Sequence, residues 1–169
     1  MKPNSTDLSL FLVLPPAHIY LCNSDLSLAL FESACKCALI IGDIVTLRLL
    51  SEQVIQFAKS FGDTLNSMYC IVCALAYTSF LPESIERSLV VLQELGEELP
   101  ESLAETDLKF HIDQTKVMLQ GFTDQELIEY KVMEDSSKLI AMKFYAKLEN
   151  SVQMTRPSLQ PIVTMKMVS

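Results

Sequence analysis

Apolar residues recur three and four positions apart along most of this 169-residue chain, the spacing that lines one face of an α-helix. From Asp25 the pattern is regular: Leu26, Leu30, Ala34, Cys37, Ala38 and Ile41 form one stripe, and Gly42-Asp43 closes it. A second stripe, Leu47, Leu50, Val54, Ile55 and Ala58, belongs to a helix expected over residues 44–61. Two residues separate the pair, so the helices should pack antiparallel. The arrangement repeats with a helix from about Thr64 to Ser79, a break at Pro82, and a helix from Glu83 to Leu95 before Gly96. Pro82 suits a first helical turn, where an N–H has no intrahelical partner to lose.

An acidic connection containing Glu97, Glu98, Glu101 and Glu105 follows, and Leu108, Ile112, Thr115 and Leu119 then restart the helical spacing up to Gly121. Thr123-Asp124-Gln125-Glu126 has the Thr-x-x-Glu form of a capping box, so a short helix should begin there. Asp135 or Ser136 can cap the next helix, with Ile140, Phe144, Leu148 and Val152 on one stripe. Pro157 and Pro161 frame the last turn of chain, and from Leu159 the sequence is apolar again. Ahead of Asp25 the pattern is weaker: a short element over Leu8 to Leu14, ended by Pro15-Pro16, and a helical turn over Ala17 to Cys22. The expected organisation is therefore a segment over residues 1–24 and a helical domain over residues 25–169. The two hairpins start about 38 residues apart, near the ~34-residue tetratricopeptide period. Trp is absent and the repeat's signature residues are mostly missing, so the fold expected is all-α, with antiparallel helical hairpins stacked as a degenerate tetratricopeptide-like solenoid.

Composition narrows the function classes. Half of the residues are apolar, enough for a core without staples. The formal net charge of −8 opposes binding to nucleic-acid phosphates or to an anionic membrane surface. The five cysteines are an odd number set in core-like stretches, which points to reduced thiols in a cytoplasmic protein rather than a disulfide framework. The uncharged stretch Thr64 to Pro82 has a strongly apolar centre only from Met68 to Tyr77, too short to span lipid, and is expected to be a buried central helix. Leu8 to Ser24 is interrupted by Pro15-Pro16 and lacks a small-residue cleavage site, so it does not read as a signal peptide.

No phosphate loop, dinucleotide fingerprint, nucleophile elbow or zinc-protease motif can be written on this sequence. Cys35-x-Cys37 and Cys70-x-x-Cys73 hold the right ligand type for zinc, but Cys35 and Cys37 cannot share a helix face and neither pair sits in a knuckle. They are expected to be small core residues. His18 and His111 have no partner arrangement that would mark a general base, and the acidic connection lacks the ligand spacing of a calcium loop. Met142, Met154, Met165 and Met167 can fill core or form a pliable surface; the surface use is expected only of the last two. No catalytic residue, cofactor site or metal site is assigned.

Three stretches carry a family resemblance: Ile41-Gly42-Asp43 leading to Ala58-Lys59-Ser60-Phe61-Gly62-Asp63; Glu83-Ser84-Ile85-Glu86 leading to Val91-Leu92-Gln93-Glu94-Leu95-Gly96-Glu97 and Pro100; and Thr115-Lys116 through Thr123-Asp124-Gln125-Glu126-Leu127 to Lys138-Leu139-Ile140-Ala141-Met142-Lys143-Phe144, then Pro157-Ser158-Leu159-Gln160-Pro161 and Met167-Val168. In order and spacing they resemble the tetratricopeptide-like helical region of large predicted-ATPase, multi-sensor signalling proteins linked to serine/threonine or histidine kinases. The likeness runs from about Leu28 onward and is poor before it. It implies a regulatory scaffold or protein-interaction module whose partner is another protein or a neighbouring domain. It also implies a chain that continues past the C-terminal segment, so the helical domain is expected to be truncated there. Leu159, Ile162, Val163, Met165 and Met167 would then form an exposed patch for partner binding or self-association; folding back onto the preceding helix is the alternative. Two other functions stay open: a small enzyme whose site assembles only in three dimensions, and a membrane-associated helical protein. Far-ultraviolet circular dichroism should be dominated by helix, and a sheet-dominated spectrum would overturn this whole reading.

Overall fold

The computed structural model describes residues 24–100 and 105–168, with backbone alone at 24, 105–108 and 127. The short elements expected over residues 8–14 and 17–22, with His18 and Cys22, lie outside the described residues. Every regular element that is described is helical: α1 Ser24–Ile41, α2 Ile44–Phe57, α3 Phe61–Tyr77, α4 Leu81–Glu94, α5 Glu105–Gln120, α6 Asp124–Ile128, α7 Ser136–Thr155, a 3-10 turn Pro157–Leu159, and α8 Gln160–Val168. The chain falls into two compact units, Met1–Ile71 and Val72–Ser169. The boundary lies within α3.

Three helices end in the same way. At Gly42 (φ 75°) and Gly96 (φ 81°) the chain enters the left-handed region, which a residue without a Cβ adopts freely. Around Gly42, the Asp43 N–H donates to Ala38 O at 2.9 Å and the Gly42 N–H to Leu39 O at 3.2 Å; around Gly96, the Glu97 N–H donates to Leu92 O at 2.8 Å and the Gly96 N–H to Gln93 O at 3.0 Å. This pair of bonds is the Schellman motif, and it satisfies carbonyls that a helix C-terminus otherwise leaves open. Ser79 (φ 65°) occupies the same position after α3, where the Phe80 N–H donates to Leu75 O at 3.0 Å.

In the first unit, α1 and α2 pack on one another as expected, but α1 uses a different face. Ser27, Cys35 and Ala38 are buried, whereas Leu26, Leu30, Cys37 and Ile41 are exposed. The buried face of α1 is thus made of small side chains, and that of α2 of Leu47, Leu50, Ser51 and Val54. The Cys35 thiol lies 3.8 Å from the Ser51 hydroxyl, and burial pushes its pKa up. Asp43 closes α1 and also caps α2: its carboxylate accepts from Thr46 N at 3.0 Å and from Thr46 Oγ1 at 2.7 Å. Those bonds, the backbone one first, hold its pKa below the usual carboxylate range.

The helix expected over residues 44–61 stops at Phe57. The Asp63 carboxylate accepts from the N–H groups of Lys59 and Ser60, at 3.0 and 3.1 Å, as the third residue of a new helix reaches back to its cap. The result is α3, begun at Phe61 rather than Thr64. Its centre is buried at every position from Cys70 to Leu75, so the burial expected of the Met68 to Tyr77 run holds over its middle, while Tyr77 at its end is exposed.

In the second unit the strongest pairing joins α4 to α7, elements distant in the chain, and α8 packs on α7 and α5. The α4 face consists of Ser84, Ile85, Ser88, Val91 and Leu92, with the Ser84 hydroxyl donating to Val72 O at 3.2 Å. The α7 face holds Ala141, Phe144, Tyr145, Leu148, Ser151 and Val152. Three of the four residues of the expected stripe are fully buried, each worth roughly 1.5–3 kcal/mol relative to exposure. Asp135 caps α7, accepting from Ser137 N at 2.8 Å and Lys138 N at 3.2 Å.

Ser79 bears a Cβ where the turn favours none. Ser79→Gly is expected to stabilise the protein by about 0.5–1 kcal/mol in urea unfolding. No change, or a loss, would mean that the left-handed turn is not held in solution.

Candidate interaction surface

The segment between α4 and α7 is built differently from the helices around it. α5 begins after the acidic connection and carries Phe110, Ile112, Val117, Met118 and Leu119, all exposed and distributed around the helix rather than along one stripe. The capping box forms as expected: Thr123 N donates to Glu126 Oε2 at 2.8 Å, and Glu126 N to Thr123 Oγ1 at 3.3 Å. It starts the one-turn α6; Ile128 at its end and Tyr130, Val132 and Met133 beyond it are exposed. Phe122 and Tyr130 meet edge to face with centroids 5.4 Å apart, joining the residues on either side of α6.

The arm forms one wall of a cavity of about 480 Å³, completed by α7 and by Met167 and Val168 of α8. Glu97, Lys138 and Tyr145 stand on its lining. The Schellman turn at Gly96 delivers Glu97 to this position, and the Glu97 side chain is only 8% exposed although it belongs to the connection expected to be solvated. Lys138 Nζ donates to Glu97 Oε1, and the Tyr145 hydroxyl donates to Oε2 at 3.0 Å. Lys138, then Tyr145, hold the Glu97 carboxyl below its ordinary range, and Lys166 adds to this at longer range. Glu97 in turn raises the Lys138 ammonium. Burial first, then the hydrogen bond to Glu97, raise the Tyr145 phenol far above its usual value.

The five residues expected to form an exposed C-terminal patch are placed otherwise. α8 folds back onto α7 and α5. Ile162 and Val163 are buried, and Leu159, Met165 and Met167 are half-buried. The correction has a simple cause: an apolar nine-residue helix next to a helix with an apolar stripe gains more by covering it than by facing water. Met142 is half-buried and Met154 exposed, the reverse of the core role expected for Met154. Cys35, Cys70 and Cys73 are buried and Cys37 is exposed. His111 is exposed on α5, beside Phe110. Among the described residues no three His, Cys, Asp or Glu side chains gather as a metal site, and no helix is long and apolar enough to cross a membrane.

Compared with known proteins, the chain matches no family model, and no curated protein or solved structure shows significant similarity to it.

The residues that sequence reasoning passed over here are Glu97, Lys138 and Tyr145. A faint signal was present: Glu97 follows a helix-ending Gly, at the position where the Schellman motif usually puts an apolar residue against the helix. Because its folded-state pKa is depressed, Glu97 contributes stability that is present above its unfolded pKa of about 4.3 and is lost as pH falls through the lower folded value. Glu97→Gln should therefore narrow the gap between neutral and acid stability. Lys138→Met should cost on the order of 1 kcal/mol at neutral pH, the low end for a lost partner of a charged acceptor, because the ammonium is half in water. Chemical denaturation at pH 7 and pH 3.5 checks both, and equal losses at the two pH values would remove the ion pair from the account.

Proposed function

We propose that this protein is a non-catalytic helical scaffold, a protein-interaction module of the tetratricopeptide-like kind found in signalling ATPases and kinases, working in the cytoplasm. The observation that carries the reading is the arm of residues 109–133, whose large apolar side chains stay in water on successive faces although the same unit fully buries Phe144, Leu148 and Val152 of its α7 stripe. Single exposed apolar residues are ordinary, but a run of this kind marks a surface that a partner covers. The two-residue connection and antiparallel packing of α1 and α2 suit a helical-hairpin module.

The electrostatics of the cavity support the same reading over an enzyme. Every shift moves a pKa away from neutral pH: the carboxylate is held charged, the ammonium is held charged, and the phenol is held protonated and neutral. A general acid or base works best with a pKa drawn toward the operating pH. Glu97, Lys138 and Tyr145 are tuned as a structural ion pair would be.

Photo-crosslinking residues placed at Val117, at Val132 and, as a control, at exposed Gln153 test the proposal in living cells. The first two positions are expected to yield the same defined protein adduct and the third none. Equal labelling at all three, or turnover of a small substrate abolished by Glu97→Gln in a folded variant, would overturn it.

A further inference from the structure

We infer that the cavity between the 118–133 arm and helices α7 and α8 receives a basic amphipathic helix from a partner protein. The inference rests on the interaction reading above and adds the chemistry of the occupant. Its apolar walls include Met118, Phe122, Tyr130 and Met133 on the arm, Met142 on α7 and Met167 on α8, beside Leu119, Ala141 and Val168. Methionines supply four of these nine apolar side chains. An unbranched, polarisable side chain adapts to apolar anchors of different shapes, so a methionine-lined groove suits a peptide face better than one rigid small molecule. Met118 and Met133 are each about half exposed and Tyr130 more so, and an occupant would remove that surface from water. The cavity lies within the usual range of ligand sites, roughly 300–1,000 Å³.

Charge selects the occupant. The stretch that forms the outer wall carries five carboxylates, Asp124, Glu126, Glu129, Glu134 and Asp135, against the single cation Lys131, and all are exposed. Lys131 already lies 3.5 Å from Glu134. On the lining, Lys138 and Lys166 both act on Glu97. None of these five carboxylates is on the lining, but all belong to the stretch that contributes Tyr130 and Met133 to it, so lysines and arginines flanking an apolar stripe would meet complementary charge there and an anionic amphiphile would not. The occupant is helical because every described element of the groove is helical, with no strand edge to extend, and apolar anchors at i, i+3 or i+4, and i+7 match a groove of this form.

The probe is a fluorescein-labelled peptide of about 18 residues made of leucine and lysine, with leucine at i, i+3, i+4 and i+7. The controls are a scrambled peptide, a version with glutamate for lysine, and dodecanoate. Fluorescence anisotropy with the full chain should show saturable one-to-one binding, weakened roughly tenfold by raising salt from about 50 to about 500 mM and by scrambling the sequence. Met133→Glu, and separately the pair Glu129→Lys with Glu134→Lys, should each weaken it about tenfold, a difference near 1.4 kcal/mol. All of these residues are exposed, and circular dichroism confirms folding; should Met133→Glu unfold the chain, the charge-reversal pair decides. Equal binding of the scrambled or acidic peptide, competition by dodecanoate, or indifference to the charge reversal would overturn the inference. If the basic peptide fails to bind while the Val117 and Val132 crosslinks persist, the basic-helix occupant is overturned and the interaction reading stands. Loss of both overturns both.

Discussion

The constraint on which the architecture depends is the way its helices stop. An apolar stripe is useful only if the chain leaves it at the right residue and direction, and here α1, α3 and α4 all end on a left-handed residue, Gly42, Ser79 and Gly96. Each turn returns N–H groups to carbonyls of the last helical turn and ejects the following residue at a fixed angle. What that next residue does then differs. Asp43 turns outward to cap α2, so one carboxylate closes one helix and opens another. Glu97 turns inward, and its carboxylate becomes the polar anchor of the second unit.

Placing a carboxylate there is expensive unless it is fully satisfied. Lys138 reaches it from the first turn of α7, and Tyr145 from two turns further along the same helix. The spacing matters because one helix supplies both donors, so binding Glu97 also fixes the rotation and height of α7 against the end of α4. An apolar residue at position 97 could fill the space, but it would leave the phenol of a fully buried tyrosine to find another acceptor. Besides the stability it adds above the unfolded carboxylate pKa, such a contact disfavours other registers of α7, because they would leave the Glu97 carboxylate without these donors.

Helix existence and most boundaries were legible because they rest on local rules: periodicity, the Thr123 and Asp135 caps, Pro82 in a first turn, Gly42 and Gly96 at ends. Even the error at residues 58–61 had a local signal, since Ser60-Phe61-Gly62-Asp63 has the form of a capping box. The face of α1 was not legible. Leu26, Leu30 and Ile41 are stronger hydrophobes than Ser27, Cys35 and Ala38, and hydropathy along one helix does not show which of its faces a neighbouring helix covers. Nor could periodicity reveal that α4 pairs with α7, or that a glutamate in an acidic stretch lies buried against a lysine and a tyrosine far along the chain. Those are properties of a pairing between distant segments, and a single sequence carries no record of pairing. The exposed patch expected at the C-terminus failed for the same reason: apolar content shows that a segment will be covered, not by what.

The sparse burial of the arm has a consequence for how the second unit breathes. Its frame, α4, α7 and α8, shares buried side chains and must open together, whereas residues 109–133 contribute few buried groups. Local opening free energies follow the amount of surface buried and need not equal the global value. Amide exchange in residues 109–133 is therefore expected to outpace that of the frame, with the Phe122–Tyr130 contact holding together the two sides of α6.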